Sequence, residues 1–252
     1  MNKKYKEGRK PLRVNWSTEE MTPQDTDNNK LWQQLRTVDY LNQTPIIQFM
    51  EPAVEADDVI SYIKLSPMFE DWQKVIVSAD KDFIQLLDDK TLLYRPTQSQ
   101  VLNKNKILNE YKIHPTNFAI ARAMVGDSSD NLKGIPGVGL ATVAKRFPFM
   151  SSSNSVMMSD IANYSVDNME ELKVYEKVLD HLDLIEENYA IMQLSSPFLS
   201  SQAKKRIDET FEGFTPIYKQ TEMRKLMIQD GVLTVNIQSL EQKFNDIISS
   251  FS

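Results

Sequence analysis

The chain has 252 residues, a formal net charge of −6, 41% hydrophobic and 25% charged side chains, no cysteine, and two histidines, His114 and His181. That length buries roughly 70–75% of the unfolded surface, enough for a core without staples. Lack of cysteine excludes disulfides, thiolate zinc sites and cysteine nucleophiles, and two histidines are a poor basis for metal or acid–base chemistry, so the chemistry is expected to use carboxylates, hydroxyls, Lys or Arg. No apolar run has membrane-helix length, and the polar, basic start lacks the apolar stretch of a secretory signal, so a cytoplasmic protein is expected.

Charge is unevenly placed. Residues 1–13 hold six Lys/Arg against one Glu, a basic arm suited to an anion. A helix-start signal at Ser17-Thr18-Glu19-Glu20 leads into Leu31, Trp32, Leu35, Val38 and Leu41 at helical spacing, ended by Pro45. Three apolar runs, 46–50, 75–78 and 92–94, read as strands, and a helix over about 55–64 between the first two suggests a parallel α/β sheet. From residue 104 onward the pattern is helical: about 104–111, 115–125, 139–147, 170–194, 201–212 and 219–229. The Ser-, Asn- and Met-rich stretch 150–168 reads as a surface loop or insertion.

Three acidic groups follow this pattern: Glu55, Asp57 and Asp58 at a helix start, Asp80 and Asp82 just after a strand, and Asp127 and Asp130 in a loop between helices. In a parallel sheet the carboxyl ends of strands converge on one edge, where ligands bind, so the first two groups are expected to face each other. One such pair alone reads as helix capping, since acids suit a first turn. Three placed in this way read as a site. Clustered carboxylates cannot all ionise without compensation, and oxygen ligands free of Cys and His select Mg²⁺ or Mn²⁺. Two such ions about 4 Å apart can activate a water and stabilise the leaving oxygen of a phosphodiester.

The segment GIPGVGLATVAKRF at 134–147 places a tight turn at Pro136, Gly137 and Gly139 before a helix, with Lys133, Lys145 and Arg146 nearby. Small residues let backbone amides approach a phosphate, the physics by which a helix–hairpin–helix grips a nucleic-acid backbone without reading bases.

YKEGR (5–9), VEADDVI (54–60), SADKDFIQLL (78–87) and MVGDSSDNLKGIPGVG (124–139) resemble, in order and spacing, the 5′-nuclease family. That family comprises flap endonucleases, the 5′→3′ exonuclease domain of bacterial DNA polymerase I, and phage exonucleases and ribonucleases H. The resemblance covers most of residues 1–147. It implies a PIN-like α/β sheet followed by a helical helix–hairpin–helix domain, divided as a basic arm and arch remnant (1–44), a partial nuclease core (45–100) and the hairpin domain (101–252). It implies metal ligation, direct or through water, by Glu55, Asp57, Asp58, Asp80, Asp82, Asp127 and Asp130. It further implies that Lys6 and Arg9 contact the scissile phosphate, and that Gly137 and Gly139, with a bound K⁺ and beside Lys133 and Lys145, hold duplex DNA. Tyr5 is placed either to stack on a base or to pack as an ordinary tyrosine.

The implied activity is two-metal, Mg²⁺- or Mn²⁺-dependent hydrolysis near 5′ ends of branched or duplex DNA, with RNA·DNA hybrids as a further substrate, in replication or repair. The stand-alone form is most similar to phage versions, acting in the host cytoplasm. The alternative is a catalytically inactive DNA-binding module. Family members carry two strands, each ending in an active-site Asp, before the YK..R motif. Their absence here leads to the expectation of the downstream part of a split or truncated nuclease, completed by an amino-terminal polypeptide.

Overall fold

β-Branched and leucine-rich runs build the sheet of this computed structural model, which describes residues 23–232 and 235–251, with side chains from residue 28. β1 (Lys74–Val77) pairs in parallel with β2 (Thr91–Arg95), Val75 opposite Leu92. β2 pairs antiparallel with β3 (Gln100–Leu102), Leu93 opposite Leu102. The strand order is β1-β2-β3. The third strand follows a tight turn in which Ser99 takes a left-handed conformation, φ 47°, and three residues are too few for a periodicity to announce it. Eleven helices are found among the described residues, giving a mixed α/β chain that becomes mainly helical after the sheet.

The described residues form two units, 53–199 and 23–52 with 200–251. In the first, α2 (Ala56–Leu65) precedes the sheet, and α3 (Lys104–Tyr111) to α8 follow it. α3 starts where Asn103 accepts the Lys106 N–H at 2.8 Å, the capping contact expected of Asn. α4 (Phe118–Val125) is the core helix: Phe118, Ile120, Ala121, Ala123 and Met124 are all buried, and each of the larger ones contributes about 1.5–3 kcal/mol. α5 (Leu140–Arg146) delivers Phe147, whose ring meets Phe149, Tyr164 and Tyr175 at 5.7–5.8 Å.

Two sequence expectations give way here. The stretch 150–168 contains α6 (Met158–Asp167), started by the Asp160 carboxylate on the Met157 N–H and anchored by buried Ile161 and Ser165. Its polar composition hides a single narrow buried stripe. The preceding residues are held by the buried side chain of Asn117, whose amide nitrogen donates to the carbonyls of Met150, Ser152 and Asn154 and whose oxygen accepts the Val156 N–H. The helix expected over 170–194 is two, α7 (Lys173–Leu179) and α8 (Leu182–Met192), parted at His181, whose ring donates to the Lys177 carbonyl at 2.7 Å.

The second unit holds α1 (Pro23–Leu41), α9 (Ser201–Glu212), α10 (Gln220–Gln229) and α11 (Ile237–Ser250). The strand expected at 46–50 is irregular backbone. Pro45 and Pro52 bracket it, the Ile46 N–H turns back to the Thr44 carbonyl, Met50 is exposed, and the Glu51 carboxylate is paired with Arg206. On α1 the polar side chains face inward: Arg36 donates to Asp230 at 2.7 Å and to Gln229 at 3.0 Å, and the Tyr40 hydroxyl donates to Asp230 at 2.8 Å. Leu31, Trp32, Leu35 and Val38 are exposed.

Candidate active site

Glu55 is the residue before α2, in extended conformation, and Asp57 and Asp58 occupy the first turn, where carboxylates are favoured by the helix dipole. Asp58 Oδ1 accepts the Phe198 N–H at 2.8 Å, and the Ser61 hydroxyl donates to the Leu194 carbonyl. Gln85 completes the clamp on this segment: its amide donates to the Met192 carbonyl at 2.9 Å and accepts the Leu194 N–H at 2.7 Å.

After β1 the chain winds through two side-chain turns. Ser78 Oγ accepts the Asp80 N–H at 3.1 Å and Asp80 Oδ1 accepts the Asp82 N–H at 2.9 Å. These contacts aim Asp82 inward while Phe83, Ile84 and Leu86 sink into the core. Short Ser and Asp side chains do this because they mimic backbone acceptors two residues on.

The third acidic stretch follows α4. Asp127 and Leu132 exchange both backbone hydrogen bonds, at 2.9 and 2.8 Å, and Asp127 Oδ1 accepts from the Ser129 N–H and hydroxyl at 2.8 and 2.6 Å. The loop lies flat on α4 because Gly126 and Gly134 touch: a β-carbon on Gly126 would stand 2.4 Å from the Gly134 nitrogen. Buried Asn188 of α8 ties it down, donating to the Ala123 and Lys133 carbonyls at 2.9 and 2.8 Å.

Glu55, Asp57, Asp58, Asp82 and Asp130 thus line one small cavity of about 40 Å³, closed by Leu132 and the stretch 191–194. Asp80 and Asp127 are not in its lining and join it through Asp82. Asp80 raises the Asp82 pKa by its charge, and Arg122 Nη2 bridges Asp82 Oδ1 at 3.1 Å and Asp127 Oδ2 at 2.5 Å. Burial, with help from Asp80 and Asp127 and against the pull of Arg122, pushes the Asp82 carboxyl up to about 6. Burial acts the same way on Asp127, but the Ser129 bonds and Arg122 outweigh it and hold that carboxyl below its ordinary value. Burial disfavours the Arg122 charge, yet the two aspartates keep its pKa raised.

In the hairpin, Gly137 adopts φ +80° and Gly139 caps α5, with no atom within 4 Å of where a β-carbon would lie on either. Lys133, Gly137 and Lys145 are exposed and Gly139 is half-buried. Lys177 donates to the Pro136 carbonyl at 3.2 Å, steadying the turn. Tyr5, Lys6 and Arg9 lie outside the described residues.

Sequence reasoning missed Arg122, Gln85, Asn188 and the Gly126/Gly134 contact. Arg122 left a trace: it is the only charge in the apolar helix FAIARAMV, five residues before Asp127.

Residues 1–112 match the family described as 5'-3' exonuclease, N-terminal resolvase-like domain. The thermostable DNA polymerase I of Thermus aquaticus is 27% identical over 185 residues, 72% of this chain and 21% of the polymerase. The 5'-3' exonuclease of Buchnera aphidicola is 35% identical over 115 residues, 45% of this chain and 40% of that protein. The chain therefore spans well under two thirds of these relatives. Two bacteriophage T5 structures share the fold at a TM-score of 0.61. The 5'-exonuclease with bound zinc is 18% identical, with 77% of this chain and 73% of that one covered. The flap endonuclease in a complex with DNA and metal ions is 17% identical, with coverage of 77% and 72%. Family match, named relatives and fold agree with the motifs, and on them the resemblance of this chain to the 5′-nuclease family is established.

Proposed function

We propose that this chain is a divalent-metal-dependent 5′ nuclease that hydrolyses phosphodiester bonds near 5′ flaps and duplex ends of DNA, and of RNA·DNA hybrids, in replication or repair. The observation that carries this reading is the convergence of Glu55, Asp57, Asp58, Asp82 and Asp130, from three separate parts of the chain, on one cavity. Concentrating negative charge beside a polyanion serves no binding purpose.

The donor set fits a hard divalent cation such as Mg²⁺ or Mn²⁺, because the cavity is lined by five carboxylates with neither Cys nor His. Among the described residues no group of three or more is spaced to hold an ion; Asp82 and Asp127 are both bonded to Arg122. Glu55, Asp57, Asp58, Asp82 and Asp130 would hold the metal, with Asp80 and Asp127 behind them. Two divalent ions held by these carboxylates would supply the positive charge that activates a water and stabilises the departing oxygen.

The remaining residues bind and orient. Lys133 and Lys145, both exposed near the hairpin, attract backbone phosphates, and the open surface at Gly137 and Gly139 admits a strand closely; a K⁺ at that turn accords with the same role. Lys6 and Arg9 contact the scissile phosphate in this scheme, with Tyr5 beside them.

The experiment is incubation of the full chain with Mg²⁺ and labelled substrates: a 5′-flap DNA, a blunt duplex and an RNA·DNA hybrid. Cleavage that disappears in the Asp80→Asn/Asp82→Asn variant, while DNA affinity is kept or rises, is the expected result. A variant that cleaves like the parent, or a parent inert on every substrate, overturns the proposal.

A further inference from the structure

We propose that Arg122 is a built-in counter-cation for the carboxylate cluster, a positioning residue that ties Asp82 to Asp127 and must release Asp82 to a divalent ion. This rests on the metal-dependent reading above.

One guanidinium nitrogen, Nη2, bonds carboxylates that come from unrelated parts of the chain, one following β1 and one following α4. Burying an arginine inside an apolar helix costs several kcal/mol unless acids compensate it, and the Arg122 side chain is only 14% exposed. Its place in α4 is therefore explained by the two aspartates and by nothing in the packing of that helix.

The grip is incomplete. An arginine that binds a carboxylate at full strength does so through a two-pronged fork. Here a single nitrogen serves both acids, while Nε is buried with no hydrogen-bond partner. Such an arrangement neutralises charge without the fork geometry, so a more highly charged cation of smaller radius outcompetes it for the same oxygens. Arg122 in this way keeps the cluster assembled while no ion is bound, at the expense of metal affinity.

The test uses the full chain and Mn²⁺ alone, titrated calorimetrically, with metal-free thermal unfolding measured in parallel. Arg122→Gln is expected to lower the metal-free melting temperature and to bind Mn²⁺ about tenfold more tightly, because one positive charge beside the ion is gone. Arg122→Lys keeps the charge and is expected to bind within about threefold of the parent. A folded Arg122→Gln with unchanged or weaker Mn²⁺ affinity overturns the inference.

If that variant does not fold, the parent decides the matter. The Arg122 side-chain N–H resonance, assigned by its loss in Arg122→Lys, must shift on saturation with Mg²⁺, and an unmoved resonance overturns the proposal. Binding that ignores Arg122 removes this inference alone. Absence of Mn²⁺ binding by parent and variants removes the metal-dependent reading beneath it as well.

Discussion

Gly134 passes so close beneath Val125 that a β-carbon on it would stand 1.8 Å from the Val125 carbonyl oxygen. Backbone cannot swing aside as a flexible side chain can, so Gly134→Ala must lift the 127–134 loop off α4. We expect a loss of about 3 kcal/mol or more of stability, with cleavage lost because Asp127 and Asp130 move with the loop. Gly139→Ala is the control: its β-carbon meets nothing within 4 Å, and only the poorer capping by Ala costs stability, about 1 kcal/mol or less. Thermal denaturation of the two variants side by side checks the contrast.

Asn188 is nearly fully buried and gives both amide hydrogens to carbonyls, of Ala123 and Lys133. Asn188→Ala removes the partner of two carbonyls, the Ala123 one buried and the Lys133 one part-buried, which costs about 2 kcal/mol. Faster amide exchange in the 127–134 loop, measured on the folded variant, is the accompanying sign.

Asp82 supplies a pH dependence whose sign follows from its raised pKa. The folded carboxyl holds its proton up to about pH 6, whereas the unfolded one releases it near pH 4. Between those limits the folded chain binds more protons, so rising pH removes stability, by about 2–3 kcal/mol once pH exceeds 6. In Asp82→Asn that loss disappears. Denaturant titrations of both proteins at pH 4.5 and 7, in chelator, measure the difference; equal pH slopes in parent and variant contradict it.

Lys133 and Lys145 are exposed near the hairpin, and in the proposed complex they face phosphates. Replacing both by Ala should weaken DNA binding equally for all sequences. The slope of log affinity against log salt should fall by about two, one per contact removed. Binding isotherms at several salt concentrations read this, and an unaltered slope places both lysines away from the DNA.

Helices with strong caps or clear stripes are legible in the sequence. α3 and α9 stand at the expected bounds because Asn103 and Ser200 accept N–H bonds from the first turn. α6 is not, since its buried face consists of little more than Ile161 and Ser165 within a polar run. The 46–50 run shows the converse error: apolar β-branched content promises a strand, but pairing needs a neighbour, and prolines flank this segment on both sides.

The acids of the cavity are visible in sequence because each group sits at the end of a recognisable element. Gln85 and Asn188 are hidden, because they act on partners 55 to 109 residues away in the chain, and of Arg122 only the bond to nearby Asp127 leaves a trace, the one to Asp82 spanning 40 residues. Side-chain bonds across such separations leave no local pattern.

Helix α1 turns Arg36 and Tyr40 toward Asp230 and leaves Leu31, Trp32, Leu35 and Val38 in water. A strip of that kind attracts other greasy surfaces. Preparations of the chain by itself should therefore be sensitive to how concentrated they are and to structure-making salts such as sulfate, which strengthen the drive to hide apolar groups. Mild detergent should counter the tendency.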